Sequence, residues 1–176
     1  MERIRERNEI PVEDTWATED MYVSDAAWEE ELKTIAEEET YLASFAGKLA
    51  TCAEHLYAYM EKSEQVNAKL ELLANYCMRK ADEDTRNATY QAMSGKFMSL
   101  AVALGAAGSF ETPEIMAISD EKLEQFYADC PELERYRRYL TDLRRRKAHI
   151  LSAAEEKMMA AAGEMAQTPI NTFQSF

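Results

Sequence analysis

The chain has 176 residues, with 33 acidic against 20 basic side chains, a formal net charge of −13 and 47% hydrophobic residues. This length fits one domain of roughly 100 to 200 residues, large enough for a core that needs neither disulfides nor a structural metal. The acidic balance sets a field that repels nucleic acid and anionic membrane surfaces. Cys52, Cys77 and Cys130, far apart and odd in number, read as thiols in a reducing compartment.

Five glycines and four prolines in the whole chain, with abundant Ala, Glu, Leu, Lys, Arg and Met, favour helix nearly throughout, and no stretch alternates as a strand would. The expected fold class is therefore all-α: an elongated bundle of long antiparallel helices behind an extended amino-terminal arm, forming a single helical domain over 1–176. The arm covers 1–23, anchored by Trp16, Met21 and Tyr22. Its charged start, MERIRERNEIPVEDTW, lacks the apolar stretch of about 7 to 15 residues that a signal peptide needs, which points to a soluble cytoplasmic protein.

Ser24 suits the cap of a first helix over 24–46, with Trp28, Leu32, Ile35, Leu42 and Phe45 on one stripe opposite acidic runs at 29–31 and 37–39. Gly47 ends it. Thr51 and Glu54 have the spacing of a capping box for a second helix, 51–81, which at a rise of about 1.5 Å per residue extends about 45 Å. After the turn DEDTRN, Asn87 caps a third helix over 88–109. Its centre, Phe97, Leu100, Ala101 and Leu104, is apolar over more than one face and is expected to be the most buried part. Residues 110–117, containing Pro113, read as a break.

Helices over 120–129, from Ser119, and over 132–147, with Leu133, Tyr136, Leu140 and Leu143 inward, flank the interruption at Cys130-Pro131. Ser152 and Glu155 begin a further helix at 153–166 that carries Met158, Met159, Ala162 and Met165. Such a methionine stripe fills a core more often than it forms an adaptable groove. Pro169 then suits the start of a truncated helix over 169–176, where Ile170, Phe173 and Phe176 recur every three residues as a tentative interaction surface.

One basic run, RYRRYLTDLRRRK at 135–147, interleaves tyrosines as nucleic-acid binders do, yet its charges circle the helix rather than form one stripe. The expected reading is a solvated face laced with salt bridges, ahead of a site for an acidic partner.

Several segments resemble the oligoendopeptidase F family of thimet-like zinc metallopeptidases, in both order and spacing. They are TWATEDMYVSDAAW at 15–28, FAGKLA at 45–50, DEDTRNATYQ at 82–91, FETPE at 110–114 and PELERYRRYLTDLRRRKAHILSAAEE at 131–156. DEDTRN and the run from Arg145 to Ser152 are the more specific, while Ala17 and Thr18 depart from the Asp-Leu the arm usually has. The resemblance covers nearly the whole chain and about the first third of a family-length protein.

It implies amino-terminal helices that wall and cover a channel admitting short peptides, with zinc expected in a catalytic domain outside this chain. In the family, zinc chemistry uses a His-Glu-x-x-His helix. Here His55 and His149 are the only histidines and neither has a partner four residues away, so no catalytic, cofactor-binding or metal residue is assigned. Cys52 and His55, three residues apart, are two ligands at most.

The function expected is thus the non-catalytic amino-terminal domain of a zinc oligopeptidase. Its partners would be its own catalytic domain and, for the whole enzyme, short peptides, with no nucleic acid or membrane and with self-association of the isolated chain through Ile170, Phe173 and Phe176. The alternative is a stand-alone acidic helical module that binds a partner protein.

Overall fold

The computed structural model describes residues 3, 5, 6, 9–146, 169 and 172. The chain divides into two compact units, Met1–Arg137 and Arg138–Phe176. Among the described residues it is all-α, without strands.

Two short 3-10 turns, Val12–Asp14 and Thr18–Asp20, punctuate the arm. Trp16 does not anchor it: the indole is 51% exposed, with the Arg79 guanidinium 5.1 Å from the ring centroid. The anchors are Thr18, almost fully buried, and Tyr22, whose ring meets Tyr76 edge-on at 5.5 Å. Burial, and then the charge of Glu31, pushes the Tyr22 hydroxyl up to about 12.

Helix α1, Asp25–Ala36, begins as expected, the Ser24 hydroxyl accepting from the Ala27 amide at 3.2 Å. It stops ten residues short of 46. Glu37 interrupts it, and α2, Glu38–Ala43, follows. At this break Glu38 meets Lys62 of the next helix at 2.6 Å. Leu42 and Phe45 are still buried, but Gly47 lies beyond the helix, in a turn where its φ of 78° is the left-handed conformation only glycine adopts freely.

The capping box expected at Thr51 does not form. The Thr51 hydroxyl donates instead to the Lys48 carbonyl at 2.6 Å, and Cys52 takes the cap position of α3, Ala53–Glu83, without a side-chain bond. With 31 residues and no Gly or Pro, α3 spans about 46 Å. It packs against α1, α2 and α4, the last being Ala88–Ala107. The buried Trp28 ring lies on α3, and its Nε1 donates to the Leu73 carbonyl at 2.9 Å. An indole is thereby taken from water with its one polar atom satisfied. Nearby, the Tyr76 hydroxyl donates to Asp25 at 2.7 Å.

The turn between α3 and α4 is built by its own sequence. Asp84 accepts from both the backbone amide and Nε of Arg86, and Asn87 caps α4 by accepting from the Thr89 amide at 3.0 Å. The short connection returns α4 antiparallel along α3. The centre of α4, expected to be the most buried part, is so only in part: Phe97, Leu100 and Leu104 are buried, though less completely than Leu56 and Leu73 of α3, and Ala101 is half-buried. Only Met93, Phe97, Leu100 and Leu104 are buried, whereas Met98 is 52% and Val102 69% exposed.

The break expected at 110–117 is also wrong, since Glu111–Ala117 is helix α5. Pro113 stands in its first turn, where the missing amide hydrogen has no intrahelical acceptor to lose. Ile115, Met116 and Ile118 are buried. Ser119 then caps α6, Asp120–Asp129, and Pro131–Tyr136 winds as 3-10 before α7, Arg137–Arg145. In the second unit, Asp142 pairs with Arg138 at 3.9 Å and Arg145 at 3.4 Å along α7. The helices expected at 153–166 and 169–176 lie outside the described residues, Pro169 and Thr172 excepted.

Candidate functional site

Two segments distant in sequence, 45–50 and 110–114, meet at one end of α3. The Glu114 carboxylate spans the glycine turn, Oε1 accepting from the Gly47 amide at 2.5 Å and Oε2 from the Leu49 amide at 3.1 Å. These bonds to an ionised acceptor satisfy two amides of a non-helical turn. On the same side of α5, Glu111 accepts from the Tyr59 hydroxyl at 2.9 Å. The buried Tyr59 ring lies between Phe45, at 5.7 Å between centroids, and Phe110, at 5.3 Å. Gly108 permits this packing, for a Cβ there would stand 3.3 Å from the Tyr59 oxygen.

The junction closes one end of a half-open cleft of about 280 Å³ among α2, α3 and α4. Its walls are apolar at Leu42, Val66, Leu70, Leu104 and Gly105 and polar, in nearly equal measure, at Ser63, Asn67, Tyr59 and Glu111. Such a hollow accommodates an apolar side chain beside a few hydrogen-bonding groups.

Two thiols elsewhere are shifted away from the reactive thiolate. Burial raises the Cys77 thiol, and burial followed by the neighbouring Glu132 raises that of Cys130. The described residues do not fit a zinc site, because no three His, Cys, Asp or Glu side chains among them converge as one requires. His55 instead bonds through Nδ1 to the Thr51 hydroxyl at 2.8 Å.

The basic run is matched by acids where it lies in the first unit. Arg135 pairs with Glu64 at 2.8 Å, and Arg137 with Glu124 at 2.6 Å and Glu134 at 2.7 Å. Arg137 also stacks on Tyr127, 3.8 Å from the ring centroid. The tentative surface of Ile170, Phe173 and Phe176 lies outside the described residues, as does His149. Sequence reasoning missed Tyr59, Glu111 and Glu114. The segment FETPE carried the signal, but two carboxylates are hard to single out among 33 acidic residues. No described helix is long and apolar enough to cross a membrane.

A family model described as Oligopeptidase F matches residues 114–176. The chain is 34% identical over 171 residues to Oligopeptidase PepF of Bacillus subtilis, covering 97% of this chain and 26% of that protein. It is 37% identical over 173 residues to the plasmid-encoded Oligoendopeptidase F of Lactococcus lactis subsp. cremoris, covering 98% of this chain and 29% of that one. The crystal structure of oligoendopeptidase-F from Enterococcus faecium superposes with a TM-score of 0.70 at 32% identity, over 85% of this chain and 30% of that one. The chain thus spans little more than a quarter of the length of the curated relatives it matches. In sequence and in fold alike, this chain belongs to the oligoendopeptidase F family and corresponds to its amino-terminal region.

Proposed function

We propose that these residues serve as the non-catalytic amino-terminal domain of a zinc oligopeptidase, walling the channel through which short peptides reach a catalytic part carried elsewhere in the polypeptide. The observation that supports this reading is the coverage: similarity runs over 97% of this chain yet reaches only 26% of the Bacillus relative. The segments that meet at Tyr59, Glu111 and Glu114 are among those carrying the resemblance. Their role is mechanical, since a carboxylate locked on two backbone amides fixes how the α2 and α3 ends of the wall meet.

A direct test incubates the purified chain with zinc and a mixture of short peptides, alone and after addition of the separately produced remainder of the Bacillus relative. No cleavage is expected from the chain alone, and binding to the remainder is expected. Chelator-sensitive cleavage by the chain alone would overturn the non-catalytic reading. Failure to bind the remainder would favour a stand-alone interaction module.

A further inference from the structure

The exposed side of α4 has features that packing among the described residues does not explain. Its only charged residue is Lys96, which is paired with Glu29. Gly95, Met98, Val102 and Ala106 recur at spacings of three and four on the solvent side, so one strip along the helix is apolar and uncharged. Mid-helix glycine costs about 1 kcal/mol relative to alanine. Yet a Cβ built at Gly95 or Gly105 meets nothing within 4 Å, so neither glycine is required by its own neighbours. Small residues beside two projecting apolar side chains are what a second helix needs in order to approach closely. The cleft of about 280 Å³ reaches the margin of this strip at Gly105, while Leu104 lines it from the buried side.

We infer that this side of α4 is the docking face for an apolar helix of the longer polypeptide beyond this chain. The inference rests on the reading above and adds the surface through which the two parts join. The length of the relatives favours this occupant, because 26% and 29% coverage leaves most of such a polypeptide to be seated somewhere. Net charge disfavours a second copy, since each chain would bring −13 to the contact.

The test titrates this chain, as wild type, V102E, G105L and the control K33A on the exposed face of α1, into the remainder of Bacillus subtilis Oligopeptidase PepF by calorimetry. Circular dichroism melts of every variant verify that each folds as wild type. Wild type and K33A are expected to bind equally, and V102E and G105L at least about tenfold more weakly, one through an unpaired charge in an apolar contact and the other by blocking approach. Equal binding by all four would overturn the assignment of the face while leaving the functional reading intact. No binding by wild type would remove both. Sedimentation equilibrium that finds wild type self-associated and V102E monomeric would give the face to a second copy, overturning the inference.

Discussion

Helices α3 and α4 lie side by side and solve opposite problems. Helix α3 is polar on average, carries charge along most of its length, and buries a stripe that includes Leu56, Tyr59, Val66, Leu73 and Cys77. Helix α4 is apolar nearly all round, yet buries only Met93, Phe97, Leu100 and Leu104 and leaves Met98 and Val102 in solvent. An amphipathic helix declares its inner face by periodicity, whereas an apolar one declares only that it should be covered. In α4 the covering is half complete within the described residues.

The comparison breaks most readily at the α1–α3 contact. Trp28→Ala removes a fully buried indole and its bond to the Leu73 carbonyl, and should cost about 3 to 5 kcal/mol in urea-induced unfolding. A loss under about 1 kcal/mol would mean that α3 owes little to its buried stripe. Glu114→Ala strips two amides of a charged acceptor and should cost about 2 kcal/mol, with Glu114→Gln recovering part of it. Gly47→Ala, at a φ of 78°, should cost about 1 kcal/mol by the same measurement.

Alkali sharpens the picture at the arm. The Tyr22 hydroxyl, ordinarily near 10, is raised to about 12, so the fold holds a proton that the unfolded chain releases. Stability from this group is fully present below pH 10 and lost as pH rises toward 12, and Tyr22→Phe should flatten the decline in denaturant titrations across that window. The smallest effect is expected on the open side of α4. Val102→Ala should change the stability of the chain by less than about 0.5 kcal/mol, against several for Leu73→Ala in α3. Equal losses at the two positions would erase the distinction between the helices.

Much of this was legible because it is local. The caps at Ser24, Asn87 and Ser119 were readable since each side chain acts within three residues of itself. The capping box at Thr51 failed for the converse reason: its hydroxyl found the Lys48 carbonyl first, and the helix began one residue later than that pattern requires. Pro113 reads as a breaker because sequence does not reveal that it falls in a first turn, where proline is tolerated. The exposed half of α4 was hidden because apolar composition names no neighbour. The junction of Tyr59 with Glu111 and Glu114 was hidden because it joins residues 52 to 67 positions apart.

The two tryptophans divide the molecule into separate optical channels. Trp28 is fully buried and hydrogen-bonded, whereas Trp16 is half exposed beneath an arginine. Emission from Trp28 should lie to the blue and resist acrylamide until α1 leaves α3, while that of Trp16 should be accessible to the quencher in the native state. Since the chain holds no other tryptophan, a Trp16→Phe variant isolates a native reporter of helix docking, and any binding event that loosens or tightens the α1–α3 contact can be followed without a label.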